Sequence, residues 1–298
     1  MTGPVWPFVP FLAMLAVGCR GAAPLPAQAV ELNRAGIEAL RDGELDLAST
    51  RFGLALEYSP RFVEALANLG IVELERGSFD RARQLLERAR RLNPDVAQPH
   101  HGLGVLAEKQ RRPDAAAEHY RAALAVDPGF APARANLGRL LLDAGYVEHA
   151  REQFALAVAV APDDLVALVG LAECLLRLQR FAEADVTMEQ VQQAHPDAPQ
   201  VTLLLARRAL RRSDPDQAVA LLVPLVADGG DVAVAALGWL GAAELLRGRP
   251  RHAVGAGRAA LRLSPNDSLA TWVVAVALEA LDDPQSAAWK ARAAALAP

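Results

Sequence analysis

Cysteine is almost missing from this chain. Only Cys19 and Cys174 occur among 298 residues, and one pair gives no disulfide framework on which to build a fold. Aromatic residues are scarce at 5%, although apolar residues reach 52%. A core has to come from Ala, Leu and Val, which favours helices packed closely through small side chains. There is little excess of charge of either sign. The formal net charge is −4, without the basic excess of a nucleic-acid binder. Histidine is rare too. His100 and His101 are adjacent, so on a helix they point about 100° apart, and neither they nor His119 and His149 show zinc-ligand spacing. Gly102-Leu103-Gly104-Val105-Leu106-Ala107 spells G-x-G-x-x-A, but a dinucleotide site needs that spelling between a strand and a helix start. Here it falls inside a helical segment. No Ser, His and Asp arrangement stands out either. No catalytic residue, metal ligand or cofactor is therefore expected.

The first residues differ from the rest. Val5 to Gly18 carries no charge. It is too short for a bilayer span, which takes about 20 apolar residues, but suits the apolar region of a secretory signal. It ends in Leu15-Ala16-Val17-Gly18-Cys19. Small residues directly before a cysteine resemble the lipobox of bacterial lipoproteins. That resemblance implies an acylated Cys19 at the mature N-terminus, a signal over residues 1–19, and a lipid-anchored protein of the bacterial cell envelope facing the periplasm. Residues 20–28 read as a tether.

From residue 29 onward the sequence repeats. Ala48, Ala82, Ala116, Ala150, Ala184 and Ala218 are spaced by 34, as are Pro60, Pro94, Pro128, Pro162 and Pro196. One extra residue enters near Asp228-Gly229-Gly230-Asp231, after which Ala253, Ala287 and Pro265 resume the register. Each unit offers a large-small pair in its first half: Leu69-Gly70, Leu103-Gly104, Leu137-Gly138, Leu171-Ala172, Leu205-Ala206, Leu240-Gly241. The small member lets a second helix approach. In the second half a bulky residue follows the alanine four on (Phe52, Leu86, Tyr120, Phe154, Met188, Leu222), with an apolar residue three later. Spacings of four and three keep these on one helix face. Gly43, Gly77, Gly145 and Gly248 fall between the halves, where glycine ends a helix in the left-handed region. The closing proline cannot continue the second helix.

These residues resemble the tetratricopeptide repeat family, in which each 34-residue unit is two antiparallel helices and a turn. The resemblance implies an all-α fold, a right-handed α-α superhelix of about eight repeats: 29–62, 63–96, 97–130, 131–164, 165–198, 199–233, 234–267 and 268–298. It further implies a non-catalytic scaffold that holds a protein or peptide partner in a concave groove lined by first helices. It looks like the small repeat lipoproteins that support pilus, secretin or outer-membrane assembly; a non-lipidated periplasmic or cytoplasmic adaptor, and an accessory or regulatory subunit of an enzyme on another chain, stay open as alternatives.

The family's groove positions fall here on Arg139, Glu173, Arg177, Arg207 and Arg211, with Asn68 and Asn136 at the sixth position of their units. Asn33, Ile37 and Gln98 stand where a chaperone-type carboxylate clamp has other residues, so no such clamp is expected. Arg207 and Arg211 are four apart on one face and are expected to be left unpaired by Glu173, which lies four before Arg177. Two readings stay open for this basic stretch: a docking patch for an acidic peptide, or a solvated helix face. Arg83 and Arg90 fall on the outer face of the second unit, where substitution is expected to matter little. Trp239, Trp272 and Trp289 gather in the C-terminal units. A solenoid usually ends in a polar capping helix, so Trp272 and Trp289 are expected to offer an end face for self-association or another chain.

Overall fold

A computed structural model describes residues 24–230 and 232–296. The signal-like segment, Cys19, the first part of the tether and Asp231 lie outside the described residues.

The described residues form sixteen helices and no strand. They alternate as first and second helices of hairpins. The first helices are α1 (Ala27–Arg41), α3 (Val63–Glu75), α5 (Ala97–Lys109), α7 (Ala131–Asp143), α9 (Leu165–Arg177), α11 (Pro199–Arg211), α13 (Ala233–Leu246) and α15 (Ser268–Glu279). The second helices are α2 (Leu45–Tyr58), α4 (Phe79–Leu92), α6 (Pro113–Val126), α8 (Val147–Val160), α10 (Phe181–Ala194), α12 (Pro215–Asp228), α14 (Pro250–Leu263) and α16 (Ser286–Leu296). Each helix packs on its chain neighbours, and successive first helices also touch. This is the α-α superhelix that the repeat implies.

Close approach of glycine to a large side chain sets the hairpin packing. A Cβ on Gly104 would lie 2.4 Å from Tyr120 Cε1, one on Gly36 2.6 Å from Phe52, and one on Gly70 2.7 Å from Leu86. Gly138 faces Phe154 in the same way. Where the small residue is alanine, as at Ala172 and Ala206, the opposing residue is the unringed Met188 or Leu222, and all four are buried. The repeat alanines Ala48, Ala82, Ala116, Ala150, Ala184, Ala218 and Ala253 have no exposed surface.

The turn after each first helix has one backbone solution. The residue fifteen places into each repeat is left-handed throughout. It is glycine at Gly43, Gly77, Gly145 and Gly248 (φ +69 to +83°), but Arg111, Gln179, Ser213 and Asp282 adopt φ of 52–61° at the equivalent places. Glycine is thus favoured there but not required. Second helices stop two residues before the repeat proline, and the residue between is extended, as at Ser59 (φ −143°) and Asn93 (φ −148°). That is the geometry a following proline enforces. Gly229, at φ 67°, ends α12 instead.

The seventh and eighth units reverse the packing. Gly257 stands where other second helices carry their bulky residue, and the space is filled from the next first helix. Val273 Cγ1 would lie 2.6 Å from a Cβ on Gly241, and Val274 Cγ2 2.7 Å from one on Gly257. The last helix, α16, has no buried residue.

Candidate partner-binding groove

First helices α7, α9 and α11 line a cleft of about 300 Å³. Its apolar lining includes Leu142, Leu165, Val166, Val169, Leu203 and Leu204, and its polar lining is Arg139, Glu173, Gln200 and Arg207. Val166 is 50% exposed, an apolar side chain held open toward solvent. Of the groove residues inferred from the sequence, Arg139, Glu173 and Arg207 meet in this cleft. Asn68, Asn136, Arg177 and Arg211 are not part of its lining.

The charges here are partnered. Glu173 forms ion pairs with Arg207 of the next first helix and, at 2.9 Å, with Arg177 one turn on. Burial alone pushes the Glu173 carboxyl up. Attraction and hydrogen bonds from Arg207, together with those from Arg177, outweigh it and hold the carboxyl below its ordinary range. The Arg207 guanidinium also lies 4.8 Å from the centre of the Trp239 ring, a cation–π contact. Arg139 pairs with Glu108 of the preceding first helix and, at 3.4 Å, with Asp143.

The expectation that Arg207 and Arg211 are unpaired is therefore corrected. Glu173 reaches both Arg177 and Arg207 because its two oxygens each take a partner. Arg211 is drawn instead to the seam between α10 and α11. There it pairs with Asp185, which also holds Arg212 at 3.2 Å, and lies 4.8 Å from the Phe181 ring centre.

The asparagines tie repeats together. Asn68 Nδ2 donates to Asn33 Oδ1 at 3.0 Å, and Asn68 Oδ1 accepts from Gln98 Nε2, which links α1, α3 and α5. Asn136 Nδ2 donates to His101 Nε2 at 3.0 Å and lies 3.4 Å from the Tyr120 hydroxyl, which donates to Glu108 at 2.9 Å. His101 stacks near Tyr120 and Phe130, and burial lowers its pKa to about 4. It is neutral at pH 7 and can accept from Asn136. These two amides already bond across repeats, and Asn68 is only 5% exposed.

Sequence reasoning missed the apolar part of the cleft. The signal was present: Val166, Val169 and Leu203 occupy the second and fifth places of their first helices, the family's groove positions, and are apolar. It also missed that Glu173 and Arg207 share the ninth place of neighbouring units. So do Glu75 and Lys109 at the thirteenth, 3.5 Å apart.

At the C-terminal end, Trp272 is 48% exposed and lines an open hollow with Ala275, Val276, Lys290, Ala293 and Ala294. Trp289 does not line it. Its ring is half-buried beneath the Arg292 guanidinium, 5.1 Å away.

Among the described residues, no group of three or more His, Cys, Asp or Glu is placed to hold a metal. No described helix is long and apolar enough to cross a membrane. Buried Cys174 has its thiol pushed up to about 12, first by burial, so it packs as a small apolar residue.

The described chain is a solenoid of helical hairpins with an open cleft on its first helices, the architecture of a repeat interaction protein. Models of the tetratricopeptide repeat match residues 33–97, 107–165, 148–208 and 203–268. The chain belongs to the tetratricopeptide repeat family. Such repeats are generally non-catalytic modules that bind protein or peptide partners.

Similar solved structures include PilF of Pseudomonas aeruginosa, at 24% identity over 70% of this chain and 94% of that one, with a TM-score of 0.56. PilW, a type IV pilus biogenesis factor, matches at 19% identity over 71% and 99%, with a TM-score of 0.55. A chain of the Cut9–Hcn1 hetero-tetramer of the APC/C matches at 16% identity over 91% and 52%, with a TM-score of 0.69. At these identities the likeness shows the fold. No curated protein sequence matches the chain.

Proposed function

We propose that this protein is a non-catalytic scaffold that holds a partner protein in the cleft between α7, α9 and α11, and that it is anchored through a lipidated Cys19 in the bacterial envelope, where it supports assembly of a larger complex. The observation that carries the scaffold reading is the cleft itself. The apolar Val166 is exposed there above partly buried Leu165, Val169 and Leu203, and flanking charges are fixed by inter-repeat ion pairs. A preorganised surface of this kind loses little side-chain freedom on binding. With Arg207 and Arg139 already paired, an apolar segment of the partner fits the floor better than an acidic one. The anchor rests on the lipobox-like end at Cys19, and the assembly role on the resemblance to envelope repeat lipoproteins.

Two measurements separate these parts. Membrane fractionation tests the anchor: the wild-type protein is expected with membranes, and Cys19→Ser is expected to release it. A wholly soluble wild type refutes the anchor. Affinity capture from native membranes tests the cleft. Val166→Glu with Leu203→Glu is expected to abolish recovery of the main captured protein while helix content is retained. Arg258→Ala, at an exposed position of α14, is expected to leave recovery intact. Undiminished capture by the double variant refutes the cleft as the partner site. An enzyme's accessory subunit is distinguished by what is captured.

A further inference from the structure

On the outer side of the second and third units, α4, α5 and α6 enclose a cleft of about 150 Å³. Arg83, Arg90, Arg112 and His119 line it, with an apolar floor that includes Leu103 and Leu106. Among the described residues, none of these three arginines makes an ion pair, whereas Arg139, Arg177, Arg207 and Arg211 of the first helices are engaged. One carboxylate, Glu87, also lines the cleft, but Arg91 takes it at 3.4 Å. Arg83, Glu87 and Arg90 follow at spacings of four and three, so α4 presents them on one face. Arg112 comes from the turn before α6. Arg83 and Arg112 are exposed and Arg90 is partly buried, so water solvates much of their charge, but together they leave a local excess of positive charge beside the apolar floor that attracts an anion.

We propose that this outer cleft binds a phosphate group borne as a monoester or free dianion. With Glu87 engaged by Arg91 and His119 neutral, three positive charges face the cleft. A dianion offsets more of that excess than a single carboxylate does. Guanidinium forks also match phosphate oxygens two at a time. The space suits a tetrahedral oxyanion and little more, a water's share of liquid volume being about 30 Å³. The site is built on α4, α5 and α6 and shares no lining residue with the partner cleft on α7, α9 and α11. Arg83 and Arg90, expected from sequence to be inert, become its main ligands.

His119 supplies the reporter. Burial, and then the positive charge of Arg90 on α4, lower its pKa. His100 on α5 and Arg112 add to this, and Glu118 on its own helix opposes it. The imidazole signals of His119 in the full chain are followed by NMR at neutral pH as inorganic phosphate is added, with chloride at matched ionic strength as control. The expected result is a saturable shift with phosphate alone. Arg90→Gln is expected to weaken the apparent affinity about tenfold or more, the usual effect of losing one hydrogen bond to a charged group, and Arg258→Gln to leave it unchanged. Vesicles of phosphatidylcholine with and without phosphatidic acid then identify the source. A shift with the acidic vesicles assigns a lipid phosphate, and a shift with inorganic phosphate alone assigns a soluble one. No response beyond the chloride control overturns the proposal, as does an undiminished response in Arg83→Gln with Arg90→Gln.

Discussion

Gly104→Ala tests the packing that makes this chain a solenoid. The added Cβ would sit 2.4 Å from Tyr120 Cε1, 2.7 Å from Cδ1 and 3.0 Å from Cζ, so the ring has to move. The ring is fully buried and its hydroxyl donates to Glu108 while lying near Asn136, so it has no free direction. In an exposed helix, glycine to alanine gains about 1 kcal/mol. Here overpacking costs about 1–3 kcal/mol, and displacing the hydroxyl from its partners adds about 1 kcal/mol or more. The net expectation is a loss of about 1–3 kcal/mol, read as a lower midpoint in urea denaturation followed by circular dichroism. The molecule also supplies its own rescue. Alanine is tolerated opposite Met188 and Leu222, so Gly104→Ala combined with Tyr120→Leu should lose much less than the sum of the two single changes. A midpoint that rises with Gly104→Ala, or changes that simply add in the double variant, would refute this packing.

Ala116→Leu adds a large side chain where Ala116 has no exposed surface, with an expected loss of about 1–3 kcal/mol by the same denaturation assay. Gly77→Ala meets nothing within 4 Å, but φ is +76°. The left-handed penalty of about 1–2 kcal/mol, less about 0.4–1 kcal/mol of unfolded-state entropy, leaves a net loss near 1 kcal/mol. Arg207→Ala removes a strut between α9 and α11, whose partner Glu173 is largely buried, and is expected to lower the melting temperature. Had Arg207 been a free docking group, melting would not change. His101 is held neutral in the folded chain and protonates more readily when unfolded. Its contribution is fully present above about pH 6.5 and lost as pH falls toward about 4. His101→Gln should flatten that part of the stability-against-pH curve.

Much of the fold was legible because the informative residues are local and periodic. The 34-residue spacing of Ala82, Ala116 and Ala150 fixes which helix faces are buried, and the glycines opposite Phe52, Tyr120 and Phe154 fix which helices touch. The left-handed turn was only half legible. Arg111, Gln179, Ser213 and Asp282 occupy it without glycine, held there by helices on either side. The reversal in the last two units was not legible from the alanine register. Gly257 looks like a missing side chain until Val273 and Val274 are seen to supply the volume from the next helix.

The side-chain pairing was less legible, for a geometric reason. Within one helix, Glu173 has a single obvious partner, Arg177, four residues on. Stacking repeats brings a second partner, Arg207, 34 residues away, to the same carboxylate, and the same operation places Lys109 beside Glu75. In a solenoid the neighbours of a first-helix residue are its equivalents in the units before and after it, so charge has to be read down columns of equivalent positions as well as along each helix. Read that way, the ninth and thirteenth columns are internally neutralised over much of the groove, and the basic stretch around Arg207 and Arg211 is part of the scaffold's own cohesion. Arg83, Arg90 and Arg112 stand outside these columns, among the arginines that make no ion pair. A chain with a net charge of −4 thus neutralises much of its groove charge in the Glu75–Lys109, Glu108–Arg139 and Glu173–Arg207 pairs, while the outer cleft keeps its arginines unmatched. Salt separates the two surfaces: a partner held on the apolar floor of the α7–α9–α11 cleft should stay bound as ionic strength rises, while phosphate held at the outer arginines should be lost, because screening acts on charges and not on apolar burial. Loss of both together would mean that the partner also depends on charge and that the groove is not neutral in the way its ion pairs imply.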